Sequence, residues 1–361
     1  MTSSPAAGLP KAPTRHIPSL DGIRAISVIL VFLAHAGLDK WIPGGFGVTV
    51  FFFLSGFLIT TLLRVEFERH GRISLRNFWM RRALRILPPF YLVLAAATLI
   101  TLALGNPGEI AGKSLVAQAL QFANYWTIAH GASGQAPGTV VYWSLAVEEH
   151  YYLVFPWIFL LLARARLQAP AKAAVLWGLC GAILAWRLYL VLVQQVPIDR
   201  TYMGSDTRFD SILFGCALAL WRNPALDPPT PRSLARENGL LGAALLVLMG
   251  TFLVRDPLFR ETLRYSIQGA ALTVIFTQAV RRPKLPLFRV LNWRPFVKMG
   301  ELSYAFYLVH FSTLFLVWRA LPRLGPAAQA LLAFALALGF AGLIYHYVER
   351  PCAKLRQRLS A

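Results

Sequence analysis

The sequence predicts an all-α, polytopic membrane protein with about ten transmembrane helices and both termini in the cytoplasm. Hydrophobic residues make up 57% of the 361 positions, and the mean hydropathy is +0.54. Charged residues account for 14%, whereas soluble domains usually carry about 25%. Apolar runs long enough to cross a bilayer recur along the whole chain. Lys and Arg are concentrated in alternate connections between those runs, which is typical of a multi-pass protein.

Ten membrane spans can be placed, with ends defined to within about two to four residues. They cover residues 19–38, 47–64, 84–104, 144–163, 173–193, 209–221, 238–254, 263–280, 299–319 and 326–347. When residues near the span ends are counted with the adjoining connection, 25 of the 36 Lys and Arg residues fall in cytoplasmic connections, nine fall outside, and Arg24 and Arg187 lie within spans. This bias predicts cytoplasmic termini in a multi-pass protein of the inner (plasma) membrane.

The predicted organisation is a cytoplasmic N-terminal tail (1–18), one transmembrane domain (19–352) and a cytoplasmic C-terminal tail (353–361). Residues 25–36 resemble the core and cleavage site of a signal peptide, but cleavage there would remove the polar residues of span one. We therefore predict a retained signal anchor. The net charge of +20 is explained by the cytoplasmic loops and not by nucleic-acid binding. The three cysteines lack metal or disulfide spacing, so no metal site is predicted.

Span one carries the most informative polar residues. Arg24 and His35 are eleven residues apart, which places them about 20° apart on a helix and about 16.5 Å apart along its axis. Because ionisable groups are costly in lipid, we expect this face to line a reaction channel. Arg24 is predicted to hold an anionic donor. His35 is predicted to act as a general base or as an acyl relay.

Span four, in VYWSLAVEEHYYLVFPW, begins on the predicted outer side, where His35 also lies. With Ser144 as N-cap, Glu148 falls in the first turns and is predicted to orient the His35 imidazole. The alternative is a surface pair of Glu148 and Glu149 stabilised by the helix dipole. Trp143 is a candidate channel or acceptor residue, although such aromatic residues are more often interface anchors.

The cytoplasmic arginines offer a second candidate site. Arg82 and Arg85 lie at helical spacing beside Arg81 and are predicted to hold the phosphates of a cytosolic donor together with Arg24. The alternative is plain positive-inside topology or lipid headgroup binding. Ser74 is expected to cap a short interfacial helix, with Pro88-Pro89 interrupting the start of span three.

Five further residues are candidate channel or acceptor groups. Arg208 and Asp210 enter span six, with an ion pair to a neighbouring helix as the alternative. Tyr304 and His310 lie in span nine, where a structural hydrogen bond is equally compatible with the pattern. Glu349 ends span ten on the inner side and is expected to pair with an inner arginine.

The order of motifs resembles that of the acyltransferase-3 family over residues 18–352. The matching segments are SLDGIRAISVILVFLAH, GVTVFFFLSGFLIT, FWMRRALRILPPF, YWSLAVEEHYYLVFPW, TRFDSILFG, GELSYAFYLVHF and YVERP. The resemblance implies an integral membrane O-acyltransferase. Such proteins move an acyl group, commonly acetyl from acetyl-CoA, onto hydroxyls of polysaccharides, lipid-linked glycans or small glycosylated metabolites.

The resemblance also implies roles for individual residues. It makes His35 the catalytic histidine and Arg24 the arginine of the first-helix motif. Further characteristic positions match at Arg82, Arg85, Glu148, Arg208, His310 and Glu349. Two departures are visible: Thr49 stands where many relatives carry Asp, and no SGNH-type domain follows residue 352. We therefore expect acceptor transfer within the membrane domain or by a separate protein.

The predicted function is transfer of an acyl group from acyl-CoA, commonly acetyl from acetyl-CoA, to a hydroxyl of a glycan, lipid-linked saccharide or glycosylated small molecule. The protein itself is predicted to lie in the lipid bilayer. The alternative is a transporter or flippase that moves a saccharide or lipid without acyl transfer, because helix-rich chains with midplane charges also fit that class. No inverted repeat is visible in the motif order, which favours the enzyme.

Overall fold

The computed structural model describes residues 17–104, 110–231 and 233–359, and every regular element in these ranges is helical. The predicted N-terminal tail lies almost entirely outside the described residues. Ten long helices are α1 (Pro18–Leu33), α2 (Gly44–His70), α3 (Leu75–Ala103), α4 (Trp143–Arg164), α5 (Ala169–Leu192), α6 (Ser205–Trp221), α7 (Leu234–Leu253), α8 (Leu263–Arg281), α9 (Ser303–Ala320) and α10 (Pro326–Ile344).

Shorter helical segments connect or extend these helices. The π turns are Ala34–Leu38 and Tyr345–Glu349, and the 3₁₀ turns are Val140–Tyr142 and Val290–Asn292. The short α-helices are Gly112–Ala119, Ala123–His130, Ile198–Met203, Pro257–Glu261, Pro286–Arg289, Arg294–Glu301 and Arg350–Arg358. The last of these continues α10 through its π turn, so the predicted C-terminal tail begins as helix.

Each predicted span coincides with one long helix, but not every one of these helices is long and apolar enough to cross a membrane by itself. Within the described ranges, seven helices are long and apolar enough to cross a membrane, and an eighth results if Arg294–Glu301 and α9, bent by 75°, form one span. Neither α6 nor α8 is both long and apolar enough to be included among these helices. α6 has only 17 residues, of which 13 are buried, several of them polar. A helix enclosed by protein does not need an apolar outer face, so its hydropathy is low.

α1 is enclosed by close helix contacts at its glycine positions. A methyl group on Gly22 would lie 2.1 Å from the carbonyl oxygen of Leu291, and one on Gly300 would lie 2.0 Å from that of Asp21. α2 and α6 approach equally closely, because a methyl group on Gly56 would lie 2.0 Å from the Ile212 carbonyl. Small residues allow this approach in membranes. The polar residues of α1 therefore face protein.

α3 differs from its prediction in one respect. Ser74 caps its N-terminus, since the Ser74 side chain accepts a hydrogen bond from the amide of Asn77 at 3.3 Å. The prediction that Pro88-Pro89 interrupts the span is wrong, because a single helix contains both prolines. Close to these prolines, the hydroxyl of Tyr304 donates to the Ile86 carbonyl at 2.7 Å, which connects α9 to this part of α3.

Candidate active site

His35 and His310 form a hydrogen-bonded pair between the end of α1 and the middle of α9. The distance from His35 Nδ1 to His310 Nε2 is 2.9 Å. The other ring nitrogen of His310, Nδ1, lies 2.7 Å from the backbone carbonyl oxygen of Tyr307. His310 is fully buried, whereas His35 is half-buried and stacks on Phe311 with ring centroids 4.6 Å apart.

These two hydrogen bonds fix the neutral tautomers of both imidazoles. A carbonyl oxygen can only accept, so Nδ1 of His310 carries the proton and its Nε2 is an acceptor. Nδ1 of His35 must then donate to that acceptor. The remaining nitrogen of His35, Nε2, keeps its lone pair and has no partner within the described residues. The arrangement leaves one basic nitrogen available, which is the state a general base requires.

The backbone around His35 is not a continuous α-helix. α1 ends at Leu33, and residues Ala34–Leu38 form a π turn that contains Gly37 at φ 97°. The predicted alignment of Arg24 with His35 holds for a continuous α-helix. Because a π turn is wider than an α-helical turn, the His35 imidazole points in a different direction from the one predicted. Such π turns occur frequently at functional sites. Here the turn places His35 against α9.

A cavity of about 390 Å³ extends from the inner arginines toward this histidine pair. At one end it is lined by Arg24, Arg82 and Arg85, and at the other by Ser144 and Tyr307. The Ser144 and Tyr307 hydroxyls lie 2.7 Å apart. Because the Tyr307 carbonyl accepts from His310, the far end of the cavity lies next to His310. His35 itself does not line the cavity.

The arginine end combines cations with unsatisfied polar atoms. Arg24 pairs with Asp21, whereas Arg82 and Arg85 form no salt bridge within the described ranges. Arg82 Nε and Glu149 Oε1 are buried without a hydrogen-bond partner in that part of the chain. Buried polar groups without partners are uncommon and need an explanation. An anionic ligand in this cavity would supply an acceptor for Arg82 Nε, whereas Glu149 Oε1 needs a hydrogen-bond donor.

The predicted contact between Glu148 and His35 is wrong. Glu148 Oε1 accepts from the Ser55 hydroxyl at 2.6 Å, and its electrostatic neighbours are Arg85 and Arg24. α4 already begins at Trp143, so the residue that reaches the level of the histidine pair is Ser144, through its contact with Tyr307. Glu148 lies one helical turn, about 6 Å, further along the axis toward the arginines.

Two other candidates also belong to this cavity region. Tyr304 lines the cavity, with its hydroxyl committed to the Ile86 carbonyl. Glu349 lies in the second π turn, where Arg85 and Arg356 are its electrostatic neighbours. The predicted ion pair with an inner arginine is not formed within the described residues, where Glu349 Oε1 is buried without a hydrogen-bond partner.

Trp143, Arg208 and Asp210 lie outside the cavity. Trp143 packs edge-on against Phe52, with ring centroids 6.3 Å apart. Asp210 forms a fully buried ion pair with Arg187 at 2.7 Å, which is the structural alternative named for this pair of charges. Arg208 is also fully buried and donates to the Thr49 hydroxyl at 3.0 Å. Thr49, which stands where many relatives carry Asp, therefore contacts Arg208.

Sequence reasoning missed two features of the site. His310 was a candidate, but its role as partner of His35 was not predicted, and Ser144 was considered only as a helix cap. The sequence contains a signal for the first, since His310 lies near the middle of a predicted span, in the aromatic run FYLVHF. No comparable signal identifies Ser144 and Tyr307.

Comparisons with known proteins are consistent along nearly the whole chain. A family model described as "Acyltransferase domain" matches residues 17–346. Peptidoglycan O-acetyltransferase OatA of Listeria monocytogenes serovar 1/2a is 31% identical over 94% of this chain and 56% of its own length. Putative O-acetyltransferase SACOL0978 of Staphylococcus aureus (strain COL) is 31% identical over 94% and 58%.

A third relative, Putative peptidoglycan O-acetyltransferase YrhL of Bacillus subtilis (strain 168), is 31% identical over 93% of this chain and 55% of its own length. The chain thus spans a little over half the length of the curated relatives it matches. No solved structure matches the chain significantly.

We predict that neutral His35 carries its proton on Nδ1. Nitrogen-15 NMR of histidine-labelled protein, with His35 assigned from a His35→Gln spectrum, should show Nδ1 protonated and Nε2 unprotonated. In a His310→Ala variant, loss of the acceptor should shift His35 toward the opposite tautomer. A wild-type spectrum with the proton of His35 on Nε2 would contradict the hydrogen-bond chain.

Proposed function

We propose that this chain, which belongs to the acyltransferase-3 family, is a membrane O-acyltransferase that moves an acyl group, in the simplest case acetyl, from acyl-CoA to a hydroxyl of a carbohydrate or glycosylated acceptor. The observation that carries this proposal is the cavity that joins an arginine-lined end to the wall of the His35–His310 pair. The names of the relatives point to the same chemistry. The acceptor class rests on those names and on the family resemblance.

We propose that the donor enters from the cytoplasm, since the arginine end belongs to the predicted inner side. Arg82 and Arg85 would bind the phosphates of acyl-CoA, with Arg24 beside them, because guanidinium groups bind phosphate oxygens through paired hydrogen bonds. The thioester end would then extend along the cavity toward Ser144 and Tyr307. This assignment explains why two arginines lack salt-bridge partners in the described ranges.

In the proposed reaction, His35 acts as the general base. Its Nε2 takes the proton of the acceptor hydroxyl, and the resulting oxygen nucleophile attacks the thioester carbonyl carbon. The C–S bond breaks, an ester forms, and the thiolate of CoA leaves and takes up a proton. During the step the imidazolium of His35 donates through Nδ1 to His310, whose own Nδ1–H is held by the Tyr307 carbonyl. His310 is thus a positioning residue.

The proposed topology places ten spans across the inner (plasma) membrane, with both termini in the cytoplasm. In this arrangement α6 and α8 cross within the bundle, although neither is both long and apolar enough to cross a membrane by itself. Residues 19–352 form the catalytic domain, flanked by the two tails. His35 and the α9–α10 connection then lie toward the outer face, where the acceptor would bind.

Replacing His35 by Ala should lower the rate of CoA release by about 10²- to 10⁴-fold, the contribution typical of a general base. The assay uses purified protein in nanodiscs, with acetyl-CoA and a glycan acceptor. His310→Ala should cause a smaller loss and change the pH profile, and His310→Gln should restore part of the rate because its amide oxygen can accept from Nδ1.

The control for these variants is His130→Ala, which alters an exposed histidine and should leave the rate unchanged. Full activity of a folded His35→Ala variant would contradict the proposed mechanism. A wild-type protein that moves its substrate across the membrane without releasing CoA would instead indicate a transporter.

Replacing Arg85 by Gln should raise the KM for acetyl-CoA about tenfold or more, since a charge-assisted hydrogen bond to phosphate would be lost. Arg76→Gln, on the same helix but exposed, is the matched control and should behave as wild type. The KM for the acceptor should not change. Equal effects of both variants would mean that general positive charge, and not this cavity, attracts the donor.

A further inference from the structure

A second cavity, which we call the α9 groove, lies between α3, α9 and α10. Its volume is about 320 Å³. Val309, Ser312 and Leu316 of α9 lie between residues of the two flanking helices, such as Ala96 on α3 and Phe340 on α10. Several lining side chains are exposed at the protein surface, so the groove opens toward the surrounding bilayer.

The polar side chains that line the groove form hydrogen bonds within the described part of the protein, except for Arg319. The hydroxyls of Thr101, Ser312 and Thr313 donate to the carbonyls of Ala97, Pro137 and Val309, respectively. Arg319, at the end of α9, also lines the groove. It is exposed and makes no hydrogen bond or ion pair within the ranges that the structure describes. The groove therefore combines an apolar trough with one available cation.

The α9 groove and the candidate active site share one wall. Val309 and Ser312 of the groove flank His310 and Phe311, the two residues that contact His35. Arg319 follows His310 by nine residues, or about 13.5 Å along the helix. A ligand anchored at Arg319 would thus lie on the same, predicted outer, side of the membrane as His35.

We propose that the α9 groove holds the hydrocarbon chain of a lipid-linked acceptor, an inference that rests on the proposed acyltransferase function. The phosphate that joins lipid and saccharide binds Arg319, and the saccharide extends over the outer end of α9 toward His35. The apolar lining suits a hydrocarbon chain, and a guanidinium at the end of the groove suits phosphate. The proposed occupant is an isoprenoid phosphate that carries a sugar, because its single hydrocarbon chain and its phosphate match one apolar groove and one cation. Occupation by ordinary phospholipid is the competing outcome.

Photocrosslinking tests the groove without relying on catalysis. Full-length protein in nanodiscs is irradiated with a benzophenone-labelled prenyl phosphate, and the adducts are mapped by mass spectrometry. We expect adducts on α3, α9 and α10 that excess polyprenyl phosphate displaces and phosphatidylglycerol does not. Ala96→Trp, which fills the groove, and Arg319→Gln, which removes the cation, should each lower labelling about tenfold.

Matched controls lie next to both positions. Ala95 is exposed on the same helix but does not line the groove, and Arg323 is exposed in the connection that follows α9. Ala95→Trp and Arg323→Gln should retain wild-type labelling. Equal displacement by phosphatidylglycerol, or equal effects of Ala95→Trp and Ala96→Trp, would overturn the proposal.

A kinetic measurement separates the groove from the proposed function. Acetyl transfer is measured to a disaccharide linked to prenyl phosphate and to the same disaccharide without the lipid. Ala96→Trp should raise the KM of the lipid-linked acceptor alone, about tenfold. If wild-type protein acetylates neither acceptor, the proposed function fails, and the crosslinking result still decides whether the groove binds prenyl phosphate.

Discussion

The hydrogen bond between His35 and His310 is the interaction on which the rest of the site depends. A backbone carbonyl of α9 holds one nitrogen of His310, and His310 in turn holds one nitrogen of His35. In enzymes that use a histidine base, a carboxylate often performs this orienting task. Here a neutral imidazole and a peptide carbonyl do so, which avoids burying an additional negative charge in the membrane.

This arrangement requires the polar face of α1 to pack against protein. The close approach of Leu291 to Gly22 and of Asp21 to Gly300 covers the N-terminal half of α1 on one side, and Arg24 lines the cavity. The π turn at the other end directs His35 to α9. Close packing at glycines thus positions Arg24, and the π turn positions His35. The two side chains lie at the two ends of one region, but only Arg24 lines the cavity.

The helices and most candidate residues could be predicted from the sequence, whereas the contacts between helices could not. Apolar runs and charge asymmetry locate all ten long helices, since these signals are local. His35 and His310 are 275 positions apart, and periodicity within one helix does not determine which other helix it faces. The same limit explains the error for Glu148: its helix was predicted, but it lies a turn away from the histidine pair and opposite Ser55. The Arg187–Asp210 pair was anticipated only as one of two alternatives.

In the proposed reaction, an acyl group passes from the arginine side of the membrane to a base that faces the other side. Proteoliposomes of uniform orientation test this, with radiolabelled acetyl-CoA only on the cytoplasmic side and a glycan acceptor only on the opposite side. We expect labelled ester on the acceptor and free CoA on the donor side, both in proportion to active protein. Transfer that occurs only when donor and acceptor share one compartment would contradict it.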